Sequence, residues 1–160
     1  DKVARVVGLG YPGGPKVDML ALQGEPNIEL PKTHFDNLDF SFSGIKTAVI
    51  NLHHKTPDIN KADLCASFEK TVTEELLFNT LKAAKELNIN KIALAGGVSA
   101  NSYIRKSFEN LKNQGYEIYY PEMKLCTDNA AMIASAGYYN YINGKISDLT
   151  LNAIPNLKLE

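Results

Sequence analysis

The strongest periodic signal along this chain of 160 residues lies between Lys61 and Leu87. Leu64, Phe68, Val72, Leu76, Leu77, Leu81 and Ala84 recur there at helical spacing and predict one long helix packed along an apolar stripe. Upstream, Val3, Val6 and Val7 fit the last turns of a helix over residues 1–8. The glycine- and proline-dense stretch Gly8 to Pro15 ends that helix and prepares a short one from Lys16 to about Leu22. Residues 23–37 are polar and read as a loop, and Leu38 to Phe42 alternate as a strand does. Ile45, Val49, Ile50 and Leu52 mark a helix to about His53, with a turn from Thr56 to Asn60. Lys91 to Ala95 is a short apolar run of the buried-strand kind, closed by Gly96-Gly97, with a helix from near Asn101. Tyr116 to Tyr119 predict another strand and Asp128 to about Asn143 another helix, with an irregular tail from Asn152.

Strand, glycine turn, helix, strand is a βαβ unit, so the fold class is α/β, and no shift in composition suggests a second domain. A hydrophobic content of 44% is enough to build a core. A net charge of −1 argues against a broad nucleic-acid surface on this chain. No apolar run is long enough for a membrane helix. Cys65 and Cys126 follow no metal spacing and read as reduced thiols of a cytoplasmic protein. The chain opens on Asp1, apparently inside a helix, and this predicts a portion of something larger.

Four motifs could carry chemistry. In Leu94 to Arg105, a strand delivers Gly96 and Gly97 to a turn where a ligand can approach the main chain. The helix after it offers unpaired amides to an anion, capped by Ser99 or Asn101. Asn101 could instead reach a ribose or base with its amide. A plain strand-to-helix turn is the alternative. In Tyr11 to Pro15, Gly13 and Gly14 expose backbone amides, with Asp1 before them and Asp18 after, as carboxylates for ribose hydroxyls or simply as surface acids of an inter-helix turn. In Cys126 to Tyr139, Asp128 is either a metal or phosphate ligand or, with Thr127, the helix cap. In Asp39 to Val49, Ser41, Ser43, Gly44 and Lys46 put polar groups at a strand end, with Ser43 as a helix cap in the simpler account. His34, His53 and His54 form no metal-binding helix pattern and read as surface or loop residues. No Walker A sequence, nucleophile elbow or protease constellation is present.

In their order, DKVARVVGLGYPGGPKVD, FSFSGIKTAV, LAGGVSANSYIR and CTDNAAMIA resemble the TsaD family of tRNA threonylcarbamoyladenosine transferases, once called O-sialoglycoprotein endopeptidases or glycoproteases. The likeness is to the C-terminal part of a bacterial member and covers nearly the whole chain. It implies the C-terminal lobe of an ASKHA fold, ribonuclease H-like and shared with actin, heat-shock chaperones and sugar kinases. Residues 1–160 would then be a single nucleotide-binding lobe.

The resemblance implies transfer of a threonylcarbamoyl group from threonylcarbamoyl-AMP to N6 of adenine 37 in tRNAs that read codons beginning with A. It also implies TsaB- and TsaE-like partners. By motif, Asp1, Gly14, Asp18 and Asn101 would contact the substrate and Gly96-Gly97 would form the phosphate turn. Asp128 would be one ligand of a divalent metal, whether iron, zinc or magnesium. The family's two histidine ligands and its other glycine loop have no counterpart in these residues, so the chain alone is expected to be inactive. It is also expected to self-associate through any uncovered apolar face. The competing readings are another ASKHA kinase or chaperone lobe, and a folded assembly module without catalysis.

Overall fold

The computed structural model describes residues 1–156 and divides the chain into two compact units, Asp1–Thr127 and Asp128–Glu160. The described residues from Asp128 onward include none that is buried.

The first unit begins with α1 (Lys2–Val6), α2 (Gly13–Ala21), α3 (Ser43–Lys55) and α4 (Lys61–Glu86). β1 (Lys91–Ala93), α5 (Ser102–Glu109) and β2 (Glu117–Tyr119) follow, linked by 3-10 turns at Gly97–Ala100 and Asn110–Gln114. β1 and β2 pair in parallel with Ile92 opposite Ile118, which gives the expected βαβ crossover through α5. Asn60 starts α4 by accepting from the amides of Ala62 at 2.9 Å and Asp63 at 3.4 Å.

Two apolar clusters form, and α4 runs through both. Its first half sets Leu64, Cys65 and Ala66 against Val3, Val7, Val17, Ile45 and Val49 from α1 to α3. Its second half sets Leu76, Leu77 and Leu81 against Ile92, Ile104, Phe108 and Ile118 of the βαβ unit. The expected stripe on α4 is thus a seam serving two cores. The helix also buries Ser67, Glu69, Thr71, Thr73, Glu75 and Asn79. Thr71 and Thr73 settle their hydroxyls on carbonyls one turn back, at 2.8 Å and 2.7 Å.

Some expected elements differ. Leu38–Phe42 is not a strand. Its Leu38 and Asp39 carbonyls face α4 instead, accepting from Asn79, and just before the segment Lys82 donates to Asp36 and Asn37. With those carbonyls held by side chains, the segment runs as an extended loop. β1 buries only Ile92, because the helices cover one face of the strand pair, so it is half-buried where a fully buried strand was expected. His53 lies half-buried on α3, where a surface or loop position was expected. Both cysteines are free and buried.

The second unit carries α6 (Ala130–Ile142), whose cap is Asn129, accepting from the Met132 amide at 3.1 Å. Asp128 and Thr127, the expected caps, lie one and two positions too early. The irregular tail expected from Asn152 falls partly on residues 157–160, outside the described residues. Among the described residues no helix is long and apolar enough to cross a membrane.

Candidate functional site

The two glycine motifs are joined through Asp18, which reaches the start of α5, while Asp1 is tied to the first motif at Gly13. Asp1 stands just before α1 and makes no side-chain capping bond to it; its Oδ1 accepts instead from the Gly13 amide at 2.8 Å, which ties it to the start of α2. Gly14 and Asp18 lie one turn apart on α2 and so share a face. A Cβ at Gly14 would meet nothing within 4 Å, whereas one at Gly13 would sit 2.7 Å from the Ala4 Cβ and 2.7 Å from the Asp1 carboxylate. Gly14 therefore leaves space open, and Gly13 is the glycine the packing requires.

Asp18 reaches across to α5. Its carboxylate accepts from the Ser102 amide at 3.0 Å and from the Ser102 hydroxyl at 2.6 Å. Beside it, Asn101 caps α5, its Oδ1 accepting from the Ile104 amide at 2.9 Å. Two of the first-turn amides expected to meet an anion are thus held by acceptors of the chain itself. Ser99, the other candidate cap, donates its hydroxyl to the Gly96 carbonyl at 2.7 Å.

The turn at Gly96-Gly97 opens onto space. Gly96 has φ 82° and ψ 171°, a region that side chains other than glycine's essentially do not enter. A Cβ at either glycine would meet nothing within 4 Å. A ligand would therefore reach the turn from its outer side, not along the α5 axis.

Sequence reasoning missed two residues here. Glu69 of α4 is 6% exposed and accepts from the Asn101 Nδ2 at 2.6 Å. Burial pushes its carboxyl up to about 7; the Asn101 hydrogen bond works against that shift and the nearby Asp18 carboxylate adds to it. Its only sequence signal was a charge inside an apolar helix pattern. Arg105 is the second. Its Nε donates to the Ser99 carbonyl at 2.6 Å, and its Nη2 donates to the Pro121 carbonyl at 2.8 Å and the Cys126 sulfur at 3.0 Å. The guanidinium lies 4.6 Å from the Tyr120 ring centre. Arg105 thereby fastens the glycine turn to the chain that runs up to Cys126.

Asp128 opens the second unit. Among the described residues no three His, Cys, Asp or Glu side chains gather where a metal ion could be held. Asp128 by itself is one carboxylate of the three or more protein ligands that a resident divalent ion takes in its usual sites.

A sequence model of the TsaD family, described as tRNA N6-adenosine threonylcarbamoyltransferase, matches residues 1–135. Curated proteins of that same description are similar throughout. One from Clostridium kluyveri is 53% identical over 168 aligned positions, which take in 99% of this chain and 49% of the relative. One from Clostridium novyi is 51% identical with the same coverage. One from Clostridium botulinum, strain Kyoto, is 52% identical over 167 positions. The chain thus spans about half the length of the curated relatives it matches. Among solved structures, that of T. kodakarensis HypF superposes with a TM-score of 0.56 at 18% identity, over 86% of this chain and 18% of the other, a likeness of fold.

Proposed function

The chain belongs to the TsaD family, and from that membership we propose that it supplies one wall of a threonylcarbamoyl-AMP site in a tRNA N6-adenosine threonylcarbamoyltransferase. The observation that supports this most is the Asp18 carboxylate on the Ser102 amide and hydroxyl, next to Asn101, which joins two family motifs 84 positions apart. We read the α/β unit as part of the C-terminal lobe of an ASKHA fold, working in the cytoplasm. In this reading Asp1, Gly14, Asp18 and Asn101 face the nucleotide, and Gly96-Gly97 form the phosphate turn on its outer side.

The reaction is an acyl transfer. The adenine N6 attacks the carbonyl carbon of the mixed anhydride, the bond to the phosphate oxygen breaks, and AMP leaves as N6 loses a proton. AMP is already a good leaving group, so the contribution of these residues is orientation and charge stabilisation. A divalent metal would supply further charge at the phosphate. Asp128 would be one of its ligands, with the others drawn from residues beyond this chain's own set. TsaB- and TsaE-like proteins would be the partners of the whole enzyme.

The test is a transfer assay with threonylcarbamoyl-AMP and unmodified tRNA, read by mass spectrometry of the nucleosides. The full-length protein with its partners should form threonylcarbamoyladenosine, and Asp18→Ala or Asn101→Ala should each cut the yield about tenfold or more. Unmodified tRNA from the wild-type reaction would overturn the proposal. Modified tRNA from the 160-residue chain alone would overturn the two-walled site.

A further inference from the structure

Glu69 is buried on α4, lies outside every motif that drew attention to the site, and bonds to one of its residues through a single short contact. A buried carboxylate is costly to ionise unless it has partners. Glu69 has Asn101, and the geometry of that residue shows what the arrangement does. A carboxamide carries an acceptor oxygen and a nitrogen with two N–H donors. At Asn101 the oxygen is turned to the Ile104 amide, and the nitrogen to Glu69. The two bonds hold opposite ends of one planar group. Neither can be made if the group turns over, because the oxygen would then face the carboxylate and the nitrogen would face an N–H.

We propose that Glu69 is a positioning residue for nucleotide binding: it fixes the Asn101 carboxamide so that Asn101 offers a ligand its second N–H. Resting on the reading of Asn101 as a nucleotide contact, the inference sharpens that contact. The ligand atom at Asn101 is then an acceptor, such as a ribose oxygen or a ring nitrogen. Glu69 acts only through Asn101 and touches no ligand itself.

The charged and titratable groups around Glu69 are Asp18 on α2, Tyr103 on α5 and Cys65 on α4. Burial first, and then Glu69, pushes the Cys65 thiol up to about 11. Burial, with Glu74 and Glu69, likewise raises the Tyr103 phenol. Neither group ionises in the range where Glu69 does, at about 7. Ionised Glu69 holds the Asn101 nitrogen. Protonated Glu69 can instead donate to the Asn101 oxygen, so the lock loosens as pH falls through that value.

The test is a double-mutant cycle on the full-length protein with AMP as the probe, read by calorimetry, together with NMR of the Asn101 side-chain amide. Asn101→Ala should weaken AMP about tenfold, and Glu69→Ala about fivefold. Glu69→Ala should have no further effect once Asn101 is alanine, and equal losses in both backgrounds would overturn the proposal. Glu69→Gln keeps the acceptor and guards against a misfolded alanine variant. In the wild type the Asn101 amide protons should titrate with a midpoint near 7. In Glu69→Gln they should be flat across that range, and a titration surviving there would overturn the lock. Unchanged AMP binding by Asn101→Ala would instead sink the nucleotide contact itself, separately from the role of Glu69.

Discussion

The two glycine pairs look alike in sequence, yet Gly13 and Gly96 are glycine for opposite reasons. At Gly13 the protein itself occupies the space: a Cβ there would collide with Ala4 and Asp1. At Gly96-Gly97 the surroundings are empty and the constraint is in the backbone, with Gly96 in a glycine-only conformation. Gly13 is settled by packing, whereas Gly96 holds a turn that only glycine makes without strain, its Cβ direction open. A glycine-only turn facing open space, near a buried carboxylate that costs stability, is what the proposed ligand site would require.

The contrast is broken most directly at Gly13. Gly13→Ala should lower stability by about 3 kcal/mol or more, since the clashing partners include backbone. A thermal melt equal to that of the wild type would show that the first turn is not packed as described.

Next in size is Glu69→Gln, which probes the second region for a cost the first lacks. An unfolded glutamate ionises near its ordinary value of 4.5, and Glu69 in the fold near 7. Between those values the folded chain keeps a proton that the unfolded chain has released. Stability therefore falls as pH rises through the window, and the penalty is complete above it. Glu69→Gln should be more stable than wild type by about 2–3 kcal/mol at about pH 8, with the gap closing by about pH 4. Denaturant unfolding at the two pH values reads it.

A smaller effect is expected at Gly96, where Ala should cost about 1–2 kcal/mol through backbone strain alone. The smallest is at Gly97 and Gly14. Alanine at either should leave stability within about 0.5 kcal/mol, as the Cβ meets nothing, while weakening AMP by about tenfold. A loss of stability at these two positions, or unaltered binding, would erase the distinction between the turns.

Much of the architecture was legible in the sequence, because periodicity reports burial directly. The bounds of α4 and the β1–α5–β2 crossover follow from it. Leu38–Phe42 was misread because alternation signals a strand only if another strand accepts the ladder, and here the Leu38 and Asp39 carbonyls go to Asn79. At the site, Asp18 and Asn101 could be picked out by motif and Asn101 as a candidate cap of α5, while the bonds of Asp18 to Ser102 and of Asn101 to Glu69 could not. Glu69 and Arg105 were illegible because their roles depend on partners 32 and 21 positions away, with no local pattern to announce them.

The reach of Asp18 to Ser102 has a consequence for how the protein is made. The two residues stand 84 positions apart, on helices belonging to different apolar clusters. Bringing the ends of so long a loop together costs chain entropy that is recovered only after both clusters have closed around α4. A chain with either cluster unformed lacks the Asp18–Ser102 bond, so a nucleotide site of the kind proposed would be assembled only when folding is nearly complete. A nucleotide bound there would stabilise only the finished protein, by mass action.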